Sequence, residues 1–227
     1  MHLTSVLLFT SSIIPSRAWL TLSLHMVPRR ATSSRQYQHA GVASTGTKLP
    51  TIEEENLPHA DVSEWVVFSD LHLSDRSLPT CLEVLETVHS TAKNRGAGIA
   101  FLGDWWHVRG SLNVKVLNAC LDALSEWETP VILLPGNHDQ VSLGGLEHAL
   151  TPLAFALRRA GPKQCVVIDK PSIFLGALWV PYMRDQDALA EVLRSPQALE
   201  ASAVFCHAEV RYLAYIPRKY SKLSSHA

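Results

Sequence analysis

The chain has 227 residues, of which 47% are hydrophobic and 18% are charged, and its formal net charge is −1. This composition is typical of a globular protein with a sizeable core, and the balanced charge excludes a strong overall attraction to nucleic acids or membrane surfaces. No apolar run reaches the ~20 residues that span a bilayer, so the sequence predicts no transmembrane segment. The cysteines fit no zinc or thiol-redox spacing, and we expect buried, reduced side chains at Cys81, Cys120, Cys165 and Cys206.

Residues 1–52 differ in composition from the rest of the chain. They contain no Asp or Glu, but they carry several arginines and many Ser and Thr residues. This composition is typical of an organelle transit peptide, so we predict a chloroplast or mitochondrial location. The run "SVLLFTSSII" resembles the apolar core of a secretory signal, but the first basic residue, Arg17, follows that run instead of preceding it. The secretory pathway, or a disordered leader on a cytoplasmic protein, are the alternatives.

From about residue 60 the sequence predicts alternating strands and helices. Short apolar, valine-rich runs predict strands at 64–69, 98–103, 130–136, 165–169, 172–175, 177–180 and 202–207. Hydrophobic residues three or four apart predict helices at 78–92, 112–127, 144–160 and 185–194, with Pro152 marking a break or restart in the third. This alternation indicates an α/β fold, in which ligands bind at the carboxyl ends of the strands.

Polar residues stand at the carboxyl ends of four of these predicted strands. Side chains two apart on an extended segment project to the same side, and glycine lets the backbone turn sharply. Each short motif alone is as common in an ordinary turn as in a ligand site. Because they recur in order at successive strand ends, together they predict one shared metal site. The motifs are Asp70-Leu71-His72, Gly103-Asp104, Gly136-Asn137-His138-Asp139 and His207.

The series "DLH", "FLGDWWH", "LLPGNHD" and "FCHAEV" resembles the calcineurin-like metallophosphoesterase superfamily over about residues 64–210. The surrounding sequence is similar to uncharacterised members of that superfamily. The resemblance implies an α/β fold built as a four-layered α/β/β/α sandwich. It places the metallophosphoesterase domain at about 60–210, between the leader at 1–52 and a divergent basic tail at 211–227.

The resemblance also implies a set of metal ligands, matched motif by motif. Asp70 and His72 would bind the first of two divalent ions. Asn137 and His207 would bind the second. Asp104 would bridge both ions. Mixed oxygen and nitrogen ligands of this kind suit Mn, Fe or Zn better than Mg or Ca.

The resemblance further implies residues that act on the substrate. His138 would stand beside the phosphate as general acid or charge stabiliser, with Asp139 orienting it. His107 and Arg109 are candidate substrate-phosphate contacts, and a polar loop is an equally good interpretation of them.

The implied function is metal-dependent hydrolysis of a phosphoester substrate by a phosphatase or phosphodiesterase. Two ions in a dinuclear centre lower the pKa of a shared water, and the metal-bound hydroxide attacks phosphorus in line. Nucleic acid would be a partner only as a substrate, because the sequence shows no basic, aromatic binding surface. The sequence does not determine the oligomeric state.

One element of the resembled family is missing from the sequence. Family members carry a Gly-His-x-His motif well after the histidine that corresponds to His207, whereas this sequence continues for only twenty residues beyond it and lacks the motif. A C-terminal truncation would leave the second sheet incomplete, with an open edge that is prone to association. The alternative function is therefore a catalytically impaired metallophosphoesterase-fold protein that acts as a binding module, although the retained ligand residues favour an enzyme.

Overall fold

A computed structural model describes residues 5–9, 22–25, 48–53, 62–108, 110–142, 145, 147–158 and 165–208. The described elements are β1 (Ser5–Phe9), β2 (Leu22–His25), β3 (Glu64–Phe68), α1 (Leu78–Arg95), β4 (Gly98–Phe101), α2 (Val114–Ser125), β5 (Val131–Leu133), α3 (Thr151–Leu157), β6 (Cys165–Val167), β7 (Ser172–Phe174), β8 (Ala177–Val180), α4 (Gln186–Leu193), α5 (Pro196–Glu200) and β9 (Ala203–His207). Within these residues, no helix combines the length and the apolar character needed to cross a membrane.

The predicted strands and helices of the folded body are confirmed, with differences at two helices. The helix predicted at 144–160 is wrong in its first half, because α3 begins only at Thr151. Pro152 lies in the first turn of α3, where its missing N–H costs no hydrogen bond, and so it starts the helix instead of interrupting it. The short helix α5 was not predicted, since five residues carry too little hydrophobic periodicity to detect.

Two sheets organise the fold. The first has the strand order β2-β3-β4-β5-β6, in which β3 to β6 run parallel and β2 is antiparallel to β3. The second has the order β1-β9-β8-β7, in which β9 is parallel to β8 and β7 is antiparallel to β8. Strand β1 pairs in parallel with β9 and forms one edge of this sheet. The assignment of residues 1–52 as a leader stays a prediction.

Alternation of side chains across the strands produces the layers. In β3, Val66 and Phe68 face α1 and α2, whereas Trp65 and Val67 face the second sheet. In β9, Phe205 faces the first sheet, whereas Val204 and Cys206 pack with residues of α4 and α5. Three buried clusters therefore lie between four stacked layers, in the order helices, sheet, sheet, helices. This order confirms the predicted α/β/β/α sandwich.

Candidate metal centre

The loops that follow β3, β4 and β5 are tied together where the strands end. The backbone N–H of Asp70 donates to the carbonyl of Gly103 at 2.9 Å, and that of His72 donates to the carbonyl of Asp104 at 3.0 Å. Because these strands are parallel, their carboxyl ends meet at one edge of the sheet. The polar motifs found in the sequence are thereby brought together in space.

The backbone conformation at this edge is unusual. Asp70, His72 and Asp104 have φ angles of 55°, 46° and 63°, and Leu175 is the one further non-glycine residue with a positive φ in the described part of the chain. The left-handed conformation costs roughly 1–2 kcal/mol at such a residue. Strain of this kind concentrates at functional sites, where the surrounding structure holds it in place.

Asp104 lies at the centre of the cluster and is fully buried. Its Oδ2 atom is 3.7 Å from Nε2 of His72, and its Oδ1 atom is 3.5 Å from Nε2 of His207. The Oδ1 atom also accepts the backbone N–H of His138 at 2.8 Å. Each oxygen of one carboxylate therefore faces a different imidazole.

On the His72 side of Asp104, two imidazoles and a second carboxylate lie near one another. Potential ligand atoms of His72, Asp104 and His138 all lie within 4.8 Å of one another. Oδ1 of Asp70 is 3.9 Å from Nε2 of His72. Burial lowers the pKa of His72, against the opposing effect of the Asp104 carboxylate, and this favours a neutral imidazole whose lone pair is available to a cation.

Around Oδ1 of Asp104, the structure collects an imidazole and an amide. Nδ1 of His207 lies 2.7 Å from the carbonyl oxygen of Leu102, which can only accept, so this ring nitrogen carries the proton. In the neutral ring, Nε2 then presents its lone pair, 3.0 Å from Oδ1 of Asn137. Three electron-pair donors converge on this side, which is the arrangement of ligands around a cation.

His138 is oriented by a backbone carbonyl. Its Nδ1 atom lies 2.8 Å from the carbonyl oxygen of His107, and its ring stands edge-on to that of His72, with 4.9 Å between centroids. The exposed ring of His107 stacks on His138 with a centroid separation of 6.2 Å. His107 is thus placed beside the cluster, whereas Arg109 lies outside the described residues.

The role of Asp139 in orienting His138 stays a prediction, and the described hydrogen bonds of the Asp139 carboxylate go to other groups. The Asp139 carboxylate is fully buried, and both of its oxygens are engaged by backbone N–H groups. Oδ2 accepts from Asp104 at 2.8 Å and from Gly136 at 2.9 Å, and Oδ1 accepts from Trp105 at 2.9 Å and from Trp106 at 3.2 Å. Burial raises the pKa of Asp139 to about 6. This carboxylate therefore joins the loops after β4 and β5 and positions Asp104.

Two glycines allow those loops to approach each other closely. A methyl group on Gly103, whose φ is 99°, would lie 2.3 Å from Nδ1 of His207. A methyl group on Gly136 would lie 2.3 Å from both the backbone nitrogen and Oδ1 of Asp104. The space around the central carboxylate therefore depends on both positions lacking a side chain.

Comparison of the sequence with known protein families gives one match. The sequence profile described as "Calcineurin-like phosphoesterase" matches residues 65–179, slightly more than half of the chain. The matched range includes every residue of the cluster except His207. A search of curated proteins found no match.

Among solved structures, the chain is similar to the crystal structure of Pseudomonas putida nuclease MPE, with 19% sequence identity and a TM-score of 0.35. The similarity covers 51% of this chain and 52% of the nuclease chain, so the chain spans about half the length of that protein.

Proposed function

The chain belongs to the calcineurin-like phosphoesterase family, and we propose that it is a metal-dependent hydrolase of phosphoesters with a dinuclear centre. The observation that carries the dinuclear proposal is the central carboxylate of Asp104, whose oxygens face His72 on one side and His207 on the other. The ligands of the proposed centre are Asp70, His72, Asp104, Asn137 and His207.

The donor set fits divalent cations. The site offers carboxylate oxygens, an amide oxygen and imidazoles, and Nδ1 of His207 is held by the carbonyl of Leu102. Since imidazole nitrogen is common to both sides of Asp104, Mn, Fe or Zn suits the site better than Mg or Ca. When bound, such cations would polarise the phosphoryl oxygens and lower the pKa of a water, which supplies the hydroxide nucleophile near neutral pH.

The protein's own residues define where the phosphoester sits. His138 and His107 form one wall beside the cluster, and the carbonyl of His107 holds Nδ1 of His138 as a proton donor to the backbone. The Nε2 atom of His138 is then the ring atom that can contact the phosphate or its leaving oxygen. Asp139 acts indirectly in this proposal, because its carboxylate fixes the backbone of Asp104 and does not touch substrate.

The test uses the full chain, stripped of metal with a chelator and reloaded with Mn²⁺, Fe²⁺ or Zn²⁺. We expect hydrolysis of bis(4-nitrophenyl) phosphate or 4-nitrophenyl phosphate that requires added metal, and calorimetric titration should give two cations per chain. Asp104→Asn should abolish both results. Asp122→Asn, at an exposed aspartate on α2 that lies outside the cluster, is the control and should keep them. Metal-independent turnover, or equal turnover by Asp104→Asn, would refute the proposal.

A further inference from the structure

A groove is lined by residues of the loops that also carry the candidate metal centre, since Leu73 follows His72 in the chain and Trp106 precedes His107. Its volume is about 390 Å³, which is enough to hold a ring-sized organic group. The groove is lined by Leu73, Ser74, Asp75, Trp106, Val108, Ser111, Leu112, Asn113 and Val116. We infer that this groove binds the leaving group of the substrate and selects an uncharged, apolar alcohol or phenol; this inference rests on the proposed function.

The groove and the metal centre are built from the same two loops. Leu73 follows His72 directly, and its carbonyl accepts the backbone N–H of His107 at 3.1 Å. Trp106 pairs with Leu73 in an isolated bridge and is nearly fully buried. Its indole N–H donates to the carbonyl of Ala149 at 2.8 Å, which fixes the ring. We therefore place the phosphoester at the metal centre and its ester group in the groove, past His107.

The chemistry of the lining favours an apolar group. The aliphatic and aromatic members are Leu73, Trp106, Val108, Leu112 and Val116. None of the described lining residues is Lys or Arg, the side chains that contact the phosphates of nucleic acids.

The single acid of the groove is already paired. Asp75 lies 3.2 Å from Nζ of Lys115, so the two opposite charges balance at the rim. A second phosphate or an extended polyanion gains no charged partner from the described lining. An aryl or alkyl ester of a single phosphate does gain apolar contact there.

The hydrolysis that follows is balanced in atoms and protons. The bond between phosphorus and the ester oxygen breaks, and a bond between phosphorus and the oxygen of water forms. The ester oxygen takes a proton that originates from that water and leaves as a neutral alcohol or phenol. The groove therefore holds the same uncharged group before and after the reaction, and it discriminates between leaving groups by contact area.

Two valines provide a matched pair of variants. Val108 lines the groove and is 54% exposed, whereas Val114 on α2 is 68% exposed and does not line it. Serine at either position introduces no charge and is tolerated by an exposed site. In Val108→Ser we expect kcat/KM for 2-naphthyl phosphate to fall roughly fivefold, since each apolar carbon removed from a contact weakens binding severalfold. The value for glycerol phosphate should change less than twofold, and Val114→Ser should match the parent with both substrates.

Binding of 2-naphthol to the chelated protein separates this inference from the proposed function. The free phenol lacks a phosphate, so its affinity depends on the groove and not on metal. We expect roughly fivefold weaker binding in Val108→Ser, and unchanged binding in Val114→Ser and in Asp104→Asn. If naphthol binding depends on Val108 but the protein shows no turnover, the inference about the groove is upheld and the proposed hydrolase function is refuted. Equal naphthol affinity in both valine variants would refute the inference about the groove. Cleavage of single-stranded DNA in preference to 2-naphthyl phosphate would also refute it.

Discussion

Replacing Gly136 by alanine tests how closely the loops after β4 and β5 must approach around Asp104. The added methyl group would lie 2.3 Å from the backbone nitrogen of Asp104 and 2.9 Å from the carbonyl carbon of Gly103. Neither atom can move as a flexible side chain would. The Asp104 nitrogen is also held by the Asp139 carboxylate at 2.8 Å, so the clash is transmitted to that bond.

The expected cost follows from overpacking and from weakened hydrogen bonds. Forcing a methyl group into a packed site costs typically about 1–3 kcal/mol. Asp139 accepts from both Asp104 and Gly136, and disturbing these two bonds adds about 1 kcal/mol each. We therefore expect a loss of about 3–5 kcal/mol in the free energy of unfolding, which for a chain of this size lowers Tm by roughly 6–20 °C. Displacing the central carboxylate by about 1 Å should cost roughly 100-fold in activity.

Substitutions at two other glycines distinguish the effect of a steric clash from the effect of backbone strain. Gly96 at the end of α1 has a φ of 61° with nothing within 4 Å of a built methyl group, so Gly96→Ala should cost only about 1–2 kcal/mol and leave metal binding intact. Gly103→Ala combines a φ of 99° with a contact of 2.3 Å to His207 and should be the most damaging of the three. Urea unfolding and Mn²⁺ titration of each variant provide the measurements. A Gly136→Ala protein with parental stability and metal affinity would refute the close approach.

Four further substitutions test individual parts of the structure. Asp104→Asn should weaken Mn²⁺ binding at least about 100-fold in calorimetry, yet leave the chelated protein as stable as the parent, because a buried charge is removed. Asp139→Ala should show the opposite pattern, losing about 3 kcal/mol or more in urea unfolding even with chelator present, because four backbone N–H groups lose their acceptor. His207→Ala should reduce the calorimetric stoichiometry from two cations to one. Asn113→Ala should cost about 1 kcal/mol, measured by urea unfolding, because the Asn113 side chain caps the N-terminus of α2; equal stability would contradict the cap.

The strand-end motifs could be predicted from sequence because their physics is local. A short apolar run followed by Asp70 and His72 fixes both the strand and the position of the polar pair at its end. Parallel pairing of β3, β4 and β5 then brings such ends together without further information. The sequence therefore suffices to predict that Asp104 and Asn137 lie near the first pair.

The contacts between loops could not be predicted in the same way. The carboxylate of Asp139 reaches backbone groups 33 to 35 residues earlier, and His138 reaches a carbonyl 31 residues earlier. In sequence, Asp139 follows His138 directly, so a local partnership is the natural expectation. The positive φ angles also leave no sequence signal, since Asp and His carry no preference strong enough to show them.

Strain and its restraint at this site involve different residues. Asp70, His72 and Asp104 adopt the left-handed conformation, which favours glycine and is kept only where neighbouring bonds enforce it. The backbone N–H of each is bonded: the first two donate to carbonyls of the β4 loop, and the third donates to Asp139. Asp139 therefore anchors the loop that in turn holds Asp70 and His72. It follows that this carboxylate links the stability of the fold to the geometry of the proposed metal ligands.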